Sequence, residues 1–221
     1  MIAALYSGGK DSTLAVQKMR DQGKDVELLI SMISENEFSY MFHRPNIKWT
    51  DLQAEAMGIE HVFAKTKGVK EKELADLEQA LKDNEVTELI TGAVASRYQA
   101  DRINDICKKL NIEHYAPLWG MDPLTELNEV SKEFNAIITS VSAAGLDESF
   151  LGRRIDSGTV DDLVEANKKY KINLSFEGGE AESFVLDAPL FNKTIAIVKA
   201  HKTWSGTSGT YIIDDADLVS K

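Results

Sequence analysis

Short apolar runs alternate with helix-spaced stripes through the first half of the chain. Ile2–Tyr6 reads as a buried strand, and Leu14, Ala15 and Met19 then fall on one face of a helix over Asp11–Asp21. Val26–Ser34 predicts a second buried strand. Thr50–Met57 predicts a helix capped by Thr50 and ended by Gly58, and His61–Ala64 predicts a third strand. A charged helix over Lys70–Asp83, a strand over Glu88–Gly92, a helix over Arg97–Leu110 and a short strand near His114–Ala116 continue the alternation. Strand and helix taking turns in this way predict a parallel sheet with helices on both faces. Between the second strand and its helix, Glu35–Lys48 reads as a long loop containing Met41, Phe42, His43, Arg44 and Pro45.

The texture changes after Pro117-Leu118-Trp119-Gly120. Asp122-Pro123 opens a new helix with proline in its first position. Ala136–Val141 predicts a strand, Asp161–Tyr170 a helix, and Ile195–Lys199 and Thr210–Ile213 strands around the turn-rich Trp204–Gly209. Two units are expected: residues 1–120, α/β with a parallel sheet, and residues 121–221, a smaller α+β domain packed on it.

At 221 residues with 43% hydrophobic content the chain can bury a real core. No apolar run reaches membrane-spanning length, and a strand at the N-terminus leaves no room for a signal peptide. Cys107 is the single cysteine, which excludes an internal disulfide and suits a reducing cytoplasm. It shares a stripe with Ile103, Ile106 and Leu110, so it reads as a small core residue. The net charge of −11 counts against an extended nucleic-acid face, although Lys193, Lys199, His201 and Lys202 could form a local basic patch.

The most informative chemistry is Ser7-Gly8-Gly9-Lys10-Asp11-Ser12, placed between the first strand and its helix. The glycine pair lets the backbone turn tightly and approach a ligand, and the free N–H groups at the helix start favour a polyphosphate. The common P-loop requires glycine six positions before the lysine and a hydroxyl after it, where this chain has Ala4 and Asp11. The dinucleotide fingerprint is also missing. The run Ser7–Ser12 resembles the S-G-G-x-D-S signature of the PP-loop ATPases. That resemblance implies ATP cleaved between its α- and β-phosphates, with pyrophosphate held on Ser7, Gly8, Gly9, Lys10, Asp11 and Ser12. Asp11 can face Mg²⁺ or cap its own helix.

Other candidates lie downstream. Tyr98 and Arg102, four apart near the start of a helix, should face the crevice beyond the strand ends, making Arg102 and Arg97 candidate partners for phosphate or carboxylate. Glu177-Gly178-Gly179-Glu180-Ala181-Glu182-Ser183 carries three carboxylates. In an extended segment Glu180 and Glu182 share a side, where they could hold a metal, a ligand or an ammonium ion, or simply decorate a hairpin. Asp187 sits in an apolar run and should have a partner that the sequence does not name. The four histidines show no ligand spacing, which argues against zinc. His61 and His114 read as structural, and His43, in the long loop, is the one histidine to test.

Taken in order, several segments resemble one family. They are Ser7–Ser12, Ser96-Arg97-Tyr98-Gln99 through Arg102, Pro117-Leu118-Trp119-Gly120, Gly145-Leu146-Asp147-Glu148-Ser149 with Leu151-Gly152-Arg153, and Glu177–Glu182 before Asp187-Ala188-Pro189-Leu190-Phe191. Together they look like the diphthine–ammonia ligases, in their short archaeal-type form, over nearly the whole chain. The resemblance implies a PP-loop domain, adenine nucleotide α-hydrolase-like and Rossmann-like, followed by a C-terminal α+β domain. It implies ATP and Mg²⁺ as cofactors, ammonium as nitrogen source, and elongation factor 2 carrying diphthine as the partner. The expected reaction adenylates the diphthine carboxylate and amidates it, releasing AMP and pyrophosphate. Lys10, Asp11, Glu180 and Glu182 would carry the chemistry, and His43, Arg97, Tyr98, Gln99, Glu177 and Asp187 would line the acceptor or ammonium site. Two positions depart from the family pattern: Phe176 stands where glycine usually precedes the acidic motif, and Ala181 where its middle residue is usually aromatic. No membrane and no nucleic-acid partner is expected, and a homo-oligomer is compatible with the sequence. The competing readings are a PP-loop enzyme acting on tRNA and an ATP-binding regulatory module without turnover.

Overall fold

A computed structural model describes residues 1–34, 46–67 and 72–221. His43 and most of its loop therefore lie outside the described residues. Five strands, β1 (Ile2–Leu5), β2 (Leu28–Ser34), β3 (Glu60–Thr66), β4 (Glu88–Ile90) and β5 (Glu113–Tyr115), form a parallel sheet in the order β3-β2-β1-β4-β5. Strand order reverses between β1 and β4, and the crevice above such a point is where open α/β sheets bind ligands.

Four helices cover this sheet: α1 (Lys10–Asp21), α2 (Thr50–Met57), α3 (Lys72–Asp83) and α4 (Arg97–Leu110). Leu77 and Leu81 of α3 and Ile103, Ile106 and Cys107 of α4 pack on one face with Ala3, Leu28, Ile30 and Leu89. Cys107 is buried there, and burial pushes its thiol up to about 11, which suits a core residue. Leu14, Val16 and Met19 of α1 and Ala54 and Met57 of α2 pack on the other face.

That second face is continuous with the core of the C-terminal half. After α5 (Pro123–Glu133) come β6 (Asn135–Val141), α6 (Ser157–Tyr170), β7 (Ala181–Asp187), β8 (Lys193–Trp204) and β9 (Gly209–Ser220). Their strands form an antiparallel sheet in the order β7-β6-β9-β8. Leu127, Val130, Phe134, Phe184 and Val185 join the cluster that contains Leu14 and Ala54. The second half is thus built against α1 and α2, directly beside the loop that follows β1.

Several boundaries differ from the sequence reading for local reasons. Thr50 lies inside α2: the cap position is Trp49, a short 3₁₀ turn over Ile47–Trp49 leads into the helix, and the Thr50 hydroxyl donates to Ile47 O at 2.7 Å. The segments expected at Ile195–Lys199 and Thr210–Ile213 are parts of a twelve-residue-stranded hairpin, β8–β9. Among the described residues only Thr210 and Gly209 of β9 pair with β6, so most of the hairpin lacks a third strand there and keeps no clean apolar alternation. Asp122 caps α5, accepting from the Thr125 N–H at 2.8 Å, with Pro123 in the first turn.

Candidate functional site

Ser7–Ser12 leaves the carboxyl end of β1 and runs into α1 at the point where strand order reverses. Gly8 has φ +78°, and a Cβ there would stand 2.5 Å from Gln53 Oε1, so only glycine fits. Its carbonyl accepts from the Val185 N–H at 3.0 Å and from Gln53 Nε2 at 2.9 Å, tying the loop to β7 and α2. The Ser7 and Ser12 hydroxyls lie 3.2 Å apart, and Ser12 Oγ donates to Gly9 O, pulling the two ends of the loop together. Gly9 is the N-cap and offers no side chain. The Lys10 N–H is taken instead by Ser183 Oγ at 3.0 Å. In the loop just after the neighbouring β4, Gly92 lies so close that a Cβ would approach the Asp11–Ser12 backbone to 2.7 Å.

The Lys10 side chain turns inward. It is fully buried, and its ammonium donates to Asp11 Oδ1, to Glu126 Oε1 at 2.5 Å and to Ser175 O at 3.1 Å. Those are all three donors an ammonium has. The Phe176 ring covers it, with its centroid 5.2 Å away. Burial alone would lower its pKa, but the charges and hydrogen bonds of Asp11 and Glu126 outweigh burial and raise it. Lys10 therefore stays an ammonium, and its N–H groups are directed at protein acceptors. The Asp11 side chain keeps about a third of its surface exposed.

The acidic segment serves the same loops. Glu177 Oε1 accepts the N–H groups of Val94 and Ala95 at 2.9 and 2.8 Å, fixing the loop after β4. Glu180 stands one residue before β7, and its Oε1 accepts the Asn173 N–H at 3.0 Å. Glu182 lies within β7, half-buried and in register with Ser140. Asp187 is half-buried and its partner is Lys221, 2.7 Å away. Phe176 has φ +67°, a left-handed conformation that glycine adopts freely and phenylalanine seldom does.

On α4, Arg102 stacks on Tyr98, with the guanidinium carbon 3.6 Å from the ring centroid, and its Nη1 donates to Tyr98 O at 3.4 Å. Arg97 is exposed and Gln99 half-buried in the first turn. His61 sits between Asp51 and Ser31 Oγ, and His114 between Asn104 Oδ1 and Thr91 Oγ1, both in structural roles. Lys193 pairs with Glu55 and His201 with Asp214, so half of the suspected basic patch is matched by carboxylates.

Sequence reasoning missed Gln53, Gly92, Glu126, Ser175 and Ser183 as parts of this site. Ser183 ends the acidic motif and Glu126 occupies the first turn of α5, where an acid is ordinarily a solvated partner of the helix dipole. Among the described residues no group of three or more His, Cys, Asp or Glu is arranged for a metal ion, and no helix is long and apolar enough to cross a membrane.

The model of the diphthamide synthase N-terminal domain matches residues 1–114, and that of the diphthamide synthase C-terminal domain matches residues 122–219. The chain is 34% identical over 220 residues to a diphthine–ammonia ligase of Homo sapiens and to one of Bos taurus, covering 89% of this chain and 82% of each relative. A diphthine–ammonia ligase of Schizosaccharomyces pombe is 30% identical over 217 residues, covering 89% of this chain and 36% of that longer protein.

Proposed function

Because this chain belongs to the diphthamide synthase family, we propose that it is an ATP-dependent amide ligase carrying out the last step of diphthamide formation, with ammonium and the diphthine form of elongation factor 2 as its substrates. The observation that carries this reading is the seating of the Ser7–Ser12 loop at the strand-order reversal, roofed by Ser183 and Val185 of the second half. A nucleotide bound there meets residues from both halves, as a two-substrate ligase needs. Residues 1–120 serve as the ATP-binding part and 121–221 as the acceptor part.

A carboxylate is a poor acyl donor because oxide is a poor leaving group. In the proposed reaction a diphthine carboxylate oxygen attacks the α-phosphorus of ATP, and the bond to pyrophosphate breaks. The nitrogen lone pair of ammonia then attacks the acyl carbon, AMP leaves, and the surplus proton goes to a base. The loop backbone and the N-terminus of α1 bind the phosphates, and Ser7 and Ser12 hold the loop in shape. Asp11, partly exposed at the first turn of α1, is the residue that would hold Mg²⁺, in keeping with that ion's habit of using one or two carboxylates together with substrate phosphates. Bound there, the ion would offset charge on the pyrophosphate. Arg102 remains a candidate partner for the nucleotide or acceptor, together with Arg97, Tyr98 and Gln99. Glu180 and Glu182 are the candidates for ammonium binding and proton removal. Glu177 acts through the loop after β4, and Asp187 is committed to Lys221. The same reading carries the expectation of a cytoplasmic reaction.

The test is direct. Purified protein is incubated with ATP, Mg²⁺, an ammonium salt and diphthine-bearing elongation factor 2, and the factor's intact mass is followed with AMP release. Conversion of one carboxylate to an amide, dependent on both ATP and ammonium, is expected. A factor of unchanged mass, with a matched tRNA reaction succeeding, would overturn the reading.

A further inference from the structure

Lys10 and Glu126 stand 116 residues apart in sequence and 2.5 Å apart in space. The Glu126 side chain is 0% exposed, and its Oε2 is buried with no hydrogen-bond donor among the described residues. Ionised carboxylates in such places are costly. Asp11 competes for the same ammonium. Two ionised carboxylates on one ammonium would leave a buried net negative charge, so one proton stays in the cluster. It resides on Glu126, which burial, and then the charge of Asp11, push up to about 9 against the opposing pull of Lys10. Among the described residues the titratable groups that act on Glu126 are Lys10 and Asp11, both on α1. The segment before β7 contributes only the Ser175 carbonyl and the Phe176 ring to this cluster. Lys18 and Glu129, farther along the same two helices, form their own pair at 2.6 Å.

We propose that Glu126 is a positioning residue of the ATP site: it holds the Lys10 ammonium in a nest closed by Asp11, Ser175 O and Phe176, and thereby fixes the Asp11 carboxylate at the mouth of the loop. The inference rests on the reading of Ser7–Ser12 as the ATP loop. It assigns Lys10 a part that the loop sequence does not announce, that of a buried link between the two halves. It also gives the left-handed Phe176 a reason to persist, because the ring that strains the backbone seals the nest.

Calorimetric binding of Mg-ATP and thermal unfolding of full-length wild type, Glu126→Gln and Glu126→Leu, all at one neutral pH, test this. The Gln amide oxygen can still accept from the Lys10 ammonium, so Glu126→Gln should bind ATP within about twofold of wild type. Glu126→Leu removes that acceptor, and its dissociation constant for ATP should rise about tenfold in the folded protein, the scale of loss that misplacing a positioned group produces. Wild-type ATP affinity in folded Glu126→Leu, or the same loss in Glu126→Gln as in Glu126→Leu, would overturn the proposal while leaving the ligase reading in place. A folded wild type that binds no ATP would overturn both.

Discussion

The backbone N–H of Lys10 donates to Ser183 Oγ at 3.0 Å, so the helix following the Ser7–Ser12 loop is capped by a hydroxyl 173 residues away. Gly9, the N-cap itself, has no side chain to offer. The glycine that lets the loop turn thus makes the helix depend on β7 for its cap. The start of α1 is in this way tied to the second half of the chain as well as to its own loop.

Ser183→Ala should therefore cost stability and function together. Loss of a capping hydroxyl is expected to lower unfolding free energy by about 1 kcal/mol. ATP affinity should fall with it, and Ser183→Thr should recover most of both losses. Urea denaturation and nucleotide titration read the two effects. A silent Ser183→Ala would show that the loop holds its shape unaided.

Gly92 offers a steric test of the contact between the β1 and β4 loops. A Cβ there would stand 2.7 Å from the Asp11 carbon and the Ser12 nitrogen, both backbone atoms with little room to move. Gly92→Ala should reduce AMP formation at least about tenfold by displacing the loop, because misplacement on the ångström scale is costly in a positioned site. Gly158→Ala in α6 is the control. Its Cβ would meet Asp156 Oδ1 at an ordinary 3.6 Å, so stability and turnover should hold or improve slightly. Equal activity in both variants would remove Gly92 from the site.

Glu177 separates two explanations of the acidic segment. With Oε1 engaged by the Val94 and Ala95 N–H groups, Glu177→Ala leaves the donor of buried Val94 without its acceptor, while exposed Ala95 can turn to water, and should cost roughly 1–3 kcal/mol of stability. The KM for ATP should rise because the loop after β4 loosens, while the KM for ammonium stays the same. A rise confined to the ammonium KM would instead make Glu177 an ammonium ligand.

His114 predicts an acid limb of stability. Its Nδ1 faces Asn104 Oδ1 at 2.6 Å and its Nε2 faces Thr91 Oγ1 at 2.8 Å, an arrangement that suits the neutral ring with Nδ1 donating. Burial lowers its pKa, so the unfolded chain binds the proton more readily than the folded one. Stability from this source is complete above the unfolded value near 6.5 and is lost as pH falls through the lower folded value. His61, also lowered by burial, acts in the same direction. The midpoint of thermal unfolding should drop between pH 7 and 5, and less so in His114→Gln. An unchanged slope in that variant would exclude His114 as a source.

These residues also mark where the sequence is legible. The α4 limits, Arg97 and Leu110, were readable because Ile103, Ile106 and Cys107 hold a helical stripe that needs burying wherever the chain goes. The tight turn between β1 and α1 was readable because its glycine pair is a local requirement. Glu126 was not, because a charge in a first helical turn looks the same from the sequence whether solvent or Lys10 faces it. Glu177 and Ser183 lay in a motif that drew attention to its carboxylates as ligands, yet their observed partners are backbone N–H groups of the remote loop after β4 and of the first residue of α1. The β8–β9 hairpin was underestimated because strands without neighbours on both sides carry little alternation to read.

The buried pair itself permits a decisive double substitution. Lys10→Met alone leaves Glu126 and Asp11 without their cation, and Glu126→Leu alone leaves the buried ammonium with one acceptor fewer. Glu126 keeps its proton up to about pH 9, so Lys10 and Glu126 form a charge-assisted hydrogen bond, and removing either partner should cost about 1.5–3 kcal/mol, whereas replacing both with apolar side chains of similar size can be nearly neutral. Lys10→Met combined with Glu126→Leu should then be more stable than either single variant, giving a favourable coupling in a double-mutant cycle. Stability should return without full activity, because Asp11 has lost the ammonium that orients it. AMP release in the double variant is expected to stay at least about tenfold below wild type, the scale of loss that misplacing a group in a positioned site produces. Wild-type turnover in the double variant would reduce Lys10 and Glu126 to packing. Additive destabilisation would mean that the two side chains do not act as a pair.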